Sequence, residues 1–188
     1  MIRCYVTDRR HGDLMSHVLA AIRAGVEMIQ IREKDLEGGA LYELVCRVRD
    51  AVGGTSTKIL VNDRLDVAMA ANVEGVHLPA DGLPVSLVRP FVRLLGRSTH
   101  SLEEAVQAER DGADYVVFGP VFETPGKTPV GLDALREVAS SVRIPVLAIG
   151  GVTPERVPQI LGTGAAGFAA IRMFQPPSPS GRGCPKGG

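Results

Sequence analysis

Tryptophan is absent from the 188 residues, and phenylalanine and tyrosine bring the aromatic share only to 4%. So thin a supply argues against a platform for stacked nucleic-acid bases, which presents rings along a groove. Net charge is missing as well. The 21 basic side chains balance 21 acidic ones, which leaves no electrostatic footprint for nucleic acid or an anionic membrane. No apolar run approaches the length of a membrane span, and no basic and apolar leader pattern precedes the first apolar run. Cysteines are few and odd in number. Cys4, Cys46 and Cys184 lack metal-ligand spacing and read as reduced thiols of a cytoplasmic protein. These absences leave a small molecule as the expected partner, with no nucleic acid and no membrane.

What is present is a repeated alternation. Eight short apolar runs occur: Cys4 to Thr7, Met28 to Ile31, Ile59 to Val61, Gly75 to Leu78, Leu94 to Gly96, Tyr115 to Phe118, Val146 to Ile149 and Phe168 to Ile171. Continuous apolar character without polar alternation marks strands buried on both faces. Between them, Leu14 to Ala24, Leu41 to Val52, Leu102 to Asp111 and Leu132 to Val142 repeat apolar residues at helical spacing. Ser101 with Glu104 predicts a capping box, and Thr153 before Pro154 predicts a capped helix start. Strand and helix in alternation give a parallel sheet. A doubly wound open sheet is the main competitor, but it usually has fewer strands. The expected fold is therefore an α/β, (β/α)8 barrel forming one domain over 1–174, with 45% hydrophobic residues to fill it.

The chain end breaks the pattern. Pro176, Pro177, Pro179 and Pro185 stand among glycines and serines, a composition that cannot continue a helix. The reading expects a barrel lacking most of its last helix and a disordered tail over 175–188. An apolar seam beside the first and eighth strands would then be bare, which favours lower stability or homo-oligomer formation.

Barrels keep their chemistry at the C-terminal ends of their strands. After the second run comes Gln30-Ile31-Arg32-Glu33-Lys34, where strand alternation sets Gln30, Arg32 and Lys34 on one side. Two cations and an amide there suit a phosphate or diphosphate, and a solvated strand end is the bland alternative. The third run ends in Asn62-Asp63, which can hold magnesium or simply cap a helix. Asp81 can supply a second carboxylate, and His77 reads as a wall histidine. The loop Gly119 to Thr128 carries Thr124 and Lys127, able to close on an anion or to be ordinary surface. Gly150-Gly151 lets backbone N–H groups approach a phosphate, and Arg172 can add charge there. Two anion sites facing one cavity are thus expected.

Taken together, several stretches carry a resemblance: Tyr5-Val6-Thr7-Asp8, Gln30-Ile31-Arg32-Glu33-Lys34, Asn62-Asp63-Arg64-Leu65-Asp66, Gly75-Val76-His77-Leu78, Gly96-Arg97-Ser98-Thr99-His100-Ser101, Gly119-Pro120-Val121-Phe122 and Ala148-Ile149-Gly150-Gly151-Val152. Over roughly Ile2 to Phe174 the chain resembles the thiamine phosphate synthase and thiazole tautomerase (TenI-like) superfamily. The resemblance implies a transferase of thiamine biosynthesis that joins a hydroxymethylpyrimidine diphosphate to a thiazole phosphate and releases pyrophosphate. It implies Mg2+ as cofactor, held by Asp63. Gln30, Arg32, Lys34, Asn62, Ser98, Thr124 and Lys127 would hold the diphosphate, and Gly150 and Gly151 the thiazole phosphate.

Some positions depart from the synthase pattern. The second magnesium aspartate aligns with Gly82, so Asp81 stands one residue early as its substitute. A loop hydroxyl is replaced at Gly126, and a phosphate-binding serine appears as Arg172. The stretch from Gly96 to Glu123 looks closer to the tautomerase branch, whose catalytic histidine nevertheless aligns with Pro120. Synthase is the first reading. Thiazole tautomerase is the second, and a non-catalytic relative binding a thiazole or pyrimidine phosphate is the third.

Overall fold

The computed structural model describes residues 1–175. Its strands are β1 (Ile2–Val6), β2 (Met28–Ile31), β3 (Lys58–Asn62), β4 (Gly75–Leu78), β5 (Leu94–Thr99), β6 (Tyr115–Phe118), β7 (Val146–Ala148) and β8 (Gly167–Ala170). The intervening helices are α1 (Leu14–Arg23), α2 (Gly38–Val52), α3 (Leu65–Ala70), α4 (Val85–Val88), α5 (Leu102–Arg110), α6 (Gly131–Ser141) and α7 (Val157–Leu161). Each strand pairs in parallel with the next, and β8 closes on β1 with Ile2 opposite Gly167 and Tyr5 opposite Ala170. This is the (β/α)8 barrel.

Two apolar layers explain why the strand sequences do not alternate. Cys4, Val6, Met28, Leu60, Tyr115, Val117, Leu147 and Ala169 point inward and pack on one another. Their neighbours, among them Tyr5, Ile29, Val61, Val76, Val116 and Phe168, point outward against the helices, where Val18, Val45, Leu135 and Ile160 meet them. A strand buried on both sides has no polar face to show. Where strands approach most closely only glycine fits. A Cβ on Gly75 would overlap the Leu94 carbonyl, and one on Gly167 the Ile2 carbonyl.

Several local expectations need correction. Ser101 does cap α5, its hydroxyl accepting from Glu104 N at 3.2 Å, but the Glu104 carboxylate accepts from His100 N (2.6 Å) rather than closing the box on Ser101. Thr153 precedes a single 3-10 turn, Pro154–Arg156, and its side chain makes no capping bond; α7 starts only at Val157. The seam beside β1 and β8 is not bare. A 3-10 turn, Arg172–Phe174, lays the Phe174 ring parallel to Phe168 (centroids 6.2 Å, 8°) and edge-on to Tyr5 (6.0 Å, 70°). Aromatic area buried this way covers part of that seam. Of the expected tail, 175–188, only Gln175 is described, its N donating to Arg172 O at 3.1 Å, and 176–188 lie outside the described residues. Among those described, no helix is long and apolar enough to cross a membrane, and Cys4 and Cys46 are free thiols.

Candidate active site

Strand alternation aims one side chain of each strand into the C-terminal mouth of the barrel. The mouth is a cavity of about 600 Å³. Gln30, Asn62, His77 and Ser98, from β2 to β5, form a polar wall; Val6, Val117 and Ala169, from β1, β6 and β8, with Ile149 just past β7, form an apolar one. Above this ring stand Arg32, Asp81, His100, Thr124 and Lys127, with Pro120 and Gly150 lining the opposite rim. A flat ring with a charged substituent fits such a two-sided cavity.

Of the residues expected from sequence, Gln30, Arg32, Asn62, Asp81, Ser98, Thr124, Lys127 and Gly150 line this one cavity. Lys34 and Asp63 do not. They line an adjoining cleft of about 210 Å³ together with Glu33 and Arg64, and Asn62 borders both spaces. The reason is local. β2 stops at Ile31, so alternation no longer governs Lys34, and a turn follows in which Leu36 N donates to Glu33 O at 3.2 Å. Asp63 lies just past β3 with φ of 60°, a left-handed conformation that Asp tolerates, and its amide donates to His77 O at 3.0 Å.

The second expected anion pocket is not assembled as foreseen. Gly150 faces the main cavity, but Gly151 sits beneath Phe122 and Arg156, and Arg156 Nη1 donates to Gly151 O at 2.7 Å. The same guanidinium lies 4.6 Å from the centre of the Phe122 ring. Arg172 is exposed on the terminal 3-10 turn, outside the residues lining the cavity.

The cations of the mouth lack ion-pair partners. Among the described residues, Arg32 and Lys127 have no carboxylate within ion-pair distance, unlike Arg9, Arg10, Arg64 and Arg89. The Thr124 hydroxyl is buried without a partner. Cations and a donor left unpaired around one hollow favour an anion there. Asp81 is held differently: Arg97 donates to Ala80 O and Leu83 O, both at 2.8 Å, so the two carbonyls flanking Asp81-Gly82 are clamped to β5.

His77 is a wall residue. Nε2 lies 2.8 Å from Ser98 Oγ and Nδ1 lies 3.1 Å from Tyr115 Oη. Burial, helped by the charges of Arg97 and Arg32, pushes its pKa down to about 3, so the ring is neutral at physiological pH. A model of the family described as thiamine monophosphate synthase matches residues 4–174. The chain belongs to that family. Relatives within this synthase family include a putative thiamine-phosphate synthase of Geobacter sulfurreducens, 40% identical over 176 residues (88% of this chain, 83% of that one). A thiamine-phosphate synthase of Caldanaerobacter subterraneus is 38% identical over 176 residues (88% and 82%). Among solved structures, a thiamine phosphate pyrophosphorylase from Pyrococcus furiosus superposes with a TM-score of 0.86 at 35% identity, covering 93% of this chain and 88% of its own.

Two residues, one behind the wall of the mouth and one on its rim, were not singled out from the sequence. Tyr115 is a strand residue whose hydroxyl reaches His77, and His100 lines the rim with Nδ1 against Gly119 O. Tyr115 stands two residues before Val117 on β6, and His100 two residues after Ser98, just past the end of β5; that spacing was the available signal.

Proposed function

We propose that this protein is a thiamine-phosphate synthase, joining a hydroxymethylpyrimidine diphosphate to a thiazole phosphate with release of pyrophosphate. The observation that carries the reading is the meeting of Arg32 and Lys127, cations with no carboxylate partner among the described residues, with Gln30, Asn62, Ser98 and the orphaned Thr124 hydroxyl in one cavity.

In this reaction the bond between the pyrimidine methylene and the diphosphate oxygen breaks, and the oxygen keeps the electron pair. The thiazole nitrogen then gives its lone pair to the methylene carbon. No strong general base is needed. Arg32 and Lys127, with the donors of Gln30, Asn62, Ser98 and Thr124, stabilise the departing charge, and Lys34 adds positive charge from the adjoining cleft. Groups already in place around a developing charge supply the greater part of the rate enhancement in many enzymes. Gly150, on the rim of the cavity, is the backbone position left to receive the thiazole phosphate.

The carboxylates present suit Mg2+. That ion takes one or two protein carboxylates and fills its other positions with phosphate oxygens and water, so Asp63, with Asp81 from the neighbouring cavity, would hold it. A Cβ built on Gly82 would stand 3.0 Å from Asp63 Oδ1, so Asp63 points at the β4–α4 loop where the synthase pattern has its second aspartate. When bound, Mg2+ neutralises diphosphate charge and makes it a better leaving group.

Pro120 lines the cavity at the position of the tautomerase base, and proline cannot carry a proton. A cytoplasmic setting goes with this reading, and the free thiols of Cys4 and Cys46 support it. Purified protein supplied with both substrates and Mg2+ should release pyrophosphate in step with thiamine phosphate. Interconversion of thiazole tautomers without coupling would overturn this reading in favour of the tautomerase.

A further inference from the structure

His77, Gly96 and Tyr115 stand side by side across three strands: His77 is registered with Gly96, and Gly96 with Tyr115. The middle residue has no side chain, and a Cβ there would overlap the Tyr115 ring and hydroxyl. Tyr115 therefore reaches over β5 to place Oη 3.1 Å from His77 Nδ1. The tyrosine is 2% exposed, and among the described residues its hydroxyl has no other hydrogen-bond partner. A phenol proton buried that completely requires an acceptor. Nδ1 is the available one, so it bears the lone pair, and the neutral ring carries its proton on Nε2. Nε2, 2.8 Å from Ser98 Oγ, must then donate to the serine. An oxygen that accepts from the histidine keeps its own proton for another direction, and Ser98 lines the cavity beside Arg32 and Lys127.

We propose that Tyr115 and His77 form a donor relay that turns the Ser98 hydroxyl into a fixed donor toward an anionic oxygen in the barrel mouth. Tyr115 donates to His77, His77 donates to Ser98, and Ser98 donates to the ligand. With the opposite tautomer Ser98 would donate to the histidine and present only lone pairs to the anion. His77 and Tyr115 are positioning residues, acting through Ser98. The ligand class rests on the synthase reading, while the direction of the relay does not.

The test reads the tautomer directly. In ligand-free protein labelled with 15N-histidine at neutral pH, long-range 1H–15N spectra should show His77 as the Nε2–H tautomer. An Nδ1–H tautomer, or an imidazolium, overturns the relay. Because no substrate is present, this outcome is separate from the turnover assay that judges the synthase reading. Tyr115→Phe removes the bias, so both tautomers should appear, and affinity for magnesium pyrophosphate should fall by about twofold or more as the competent fraction drops. A single Nε2–H tautomer retained in Tyr115→Phe also overturns it. Should that variant fail to fold, the wild-type spectrum decides alone.

Discussion

Thr7 and Glu33 meet across the C-terminal ends of β1 and β2, the hydroxyl donating to Glu33 Oε1 at 2.6 Å with both residues buried. The same Thr7 oxygen accepts from Arg32 N at 3.0 Å, and Glu33 Oε2 accepts from Arg9 N at 3.2 Å. The strand ladder has ended by this point, with Thr7 N donating to Gln30 O at 2.9 Å as the last rung. Thr7 and Glu33 thus continue the work of the ladder and hold the segment from which Arg32 projects.

Thr7→Val keeps the shape but removes both bonds. It should destabilise the fold by about 1 to 3 kcal/mol, since a buried carboxylate loses a donor, and should raise KM for the pyrimidine diphosphate. Urea unfolding and steady-state kinetics read the two effects. Unchanged KM with reduced stability would assign Thr7 to the fold alone.

Arg32→Gln leaves stability near that of the parent, because among the described residues the guanidinium has no protein partner to lose. Turnover should fall by about a hundredfold or more, the loss typical of one donor to developing charge. Full activity would remove Arg32 from the site.

The metal reading separates Asp63 from Asp81. Asp63→Asn and Asp81→Asn should each raise the Mg2+ concentration needed for half-maximal turnover. An effect of Asp63→Asn alone would show that Asp81 does not replace the aspartate missing at Gly82.

His77 sets an acid limit on stability. Its folded pKa is pushed from 6.5 down to about 3, so below 6.5 the unfolded chain takes up a proton that the folded one refuses. Stability is therefore complete above pH 6.5 and declines as the pH falls toward 3, with a slope of up to about 1.4 kcal/mol per pH unit from this group. His77→Gln should flatten the dependence of the urea midpoint between pH 6 and 5, before most carboxylates titrate.

Much of the barrel was legible because a strand covered on both faces is apolar throughout, and Met28–Ile31, Gly75–Leu78 and Tyr115–Phe118 have the bounds read from sequence. Where polar side chains enter strands the reading stopped short. β5 runs on through Arg97 and Ser98 to Thr99, and β3 from Lys58 to Asn62; Arg97 finds the Ala80 and Leu83 carbonyls and Ser98 finds His77, partners that lie on other segments. β1 begins at Ile2 because the charge of Arg3 is met by Glu27, 3.0 Å away. Period-two spacing was enough to bring Gln30 and Arg32 together, though not Lys34, and Ser98 came from the family resemblance. It could not foresee the left-handed Asp63, nor Arg156 reaching over Phe122 to Gly151. Those depend on backbone torsion and on partners that local periodicity does not relate.

Closure of the barrel ties residue 2 to residue 167, almost the whole described chain apart. A ribosome must therefore deliver the eighth stave before the first finds its second neighbour. Until then β1 carries an open edge able to accept a foreign strand. Gly167 admits no bulkier substitute beside Ile2, so one methyl group at that joint would leave the ring unclosed and the nascent chain exposed to aggregation.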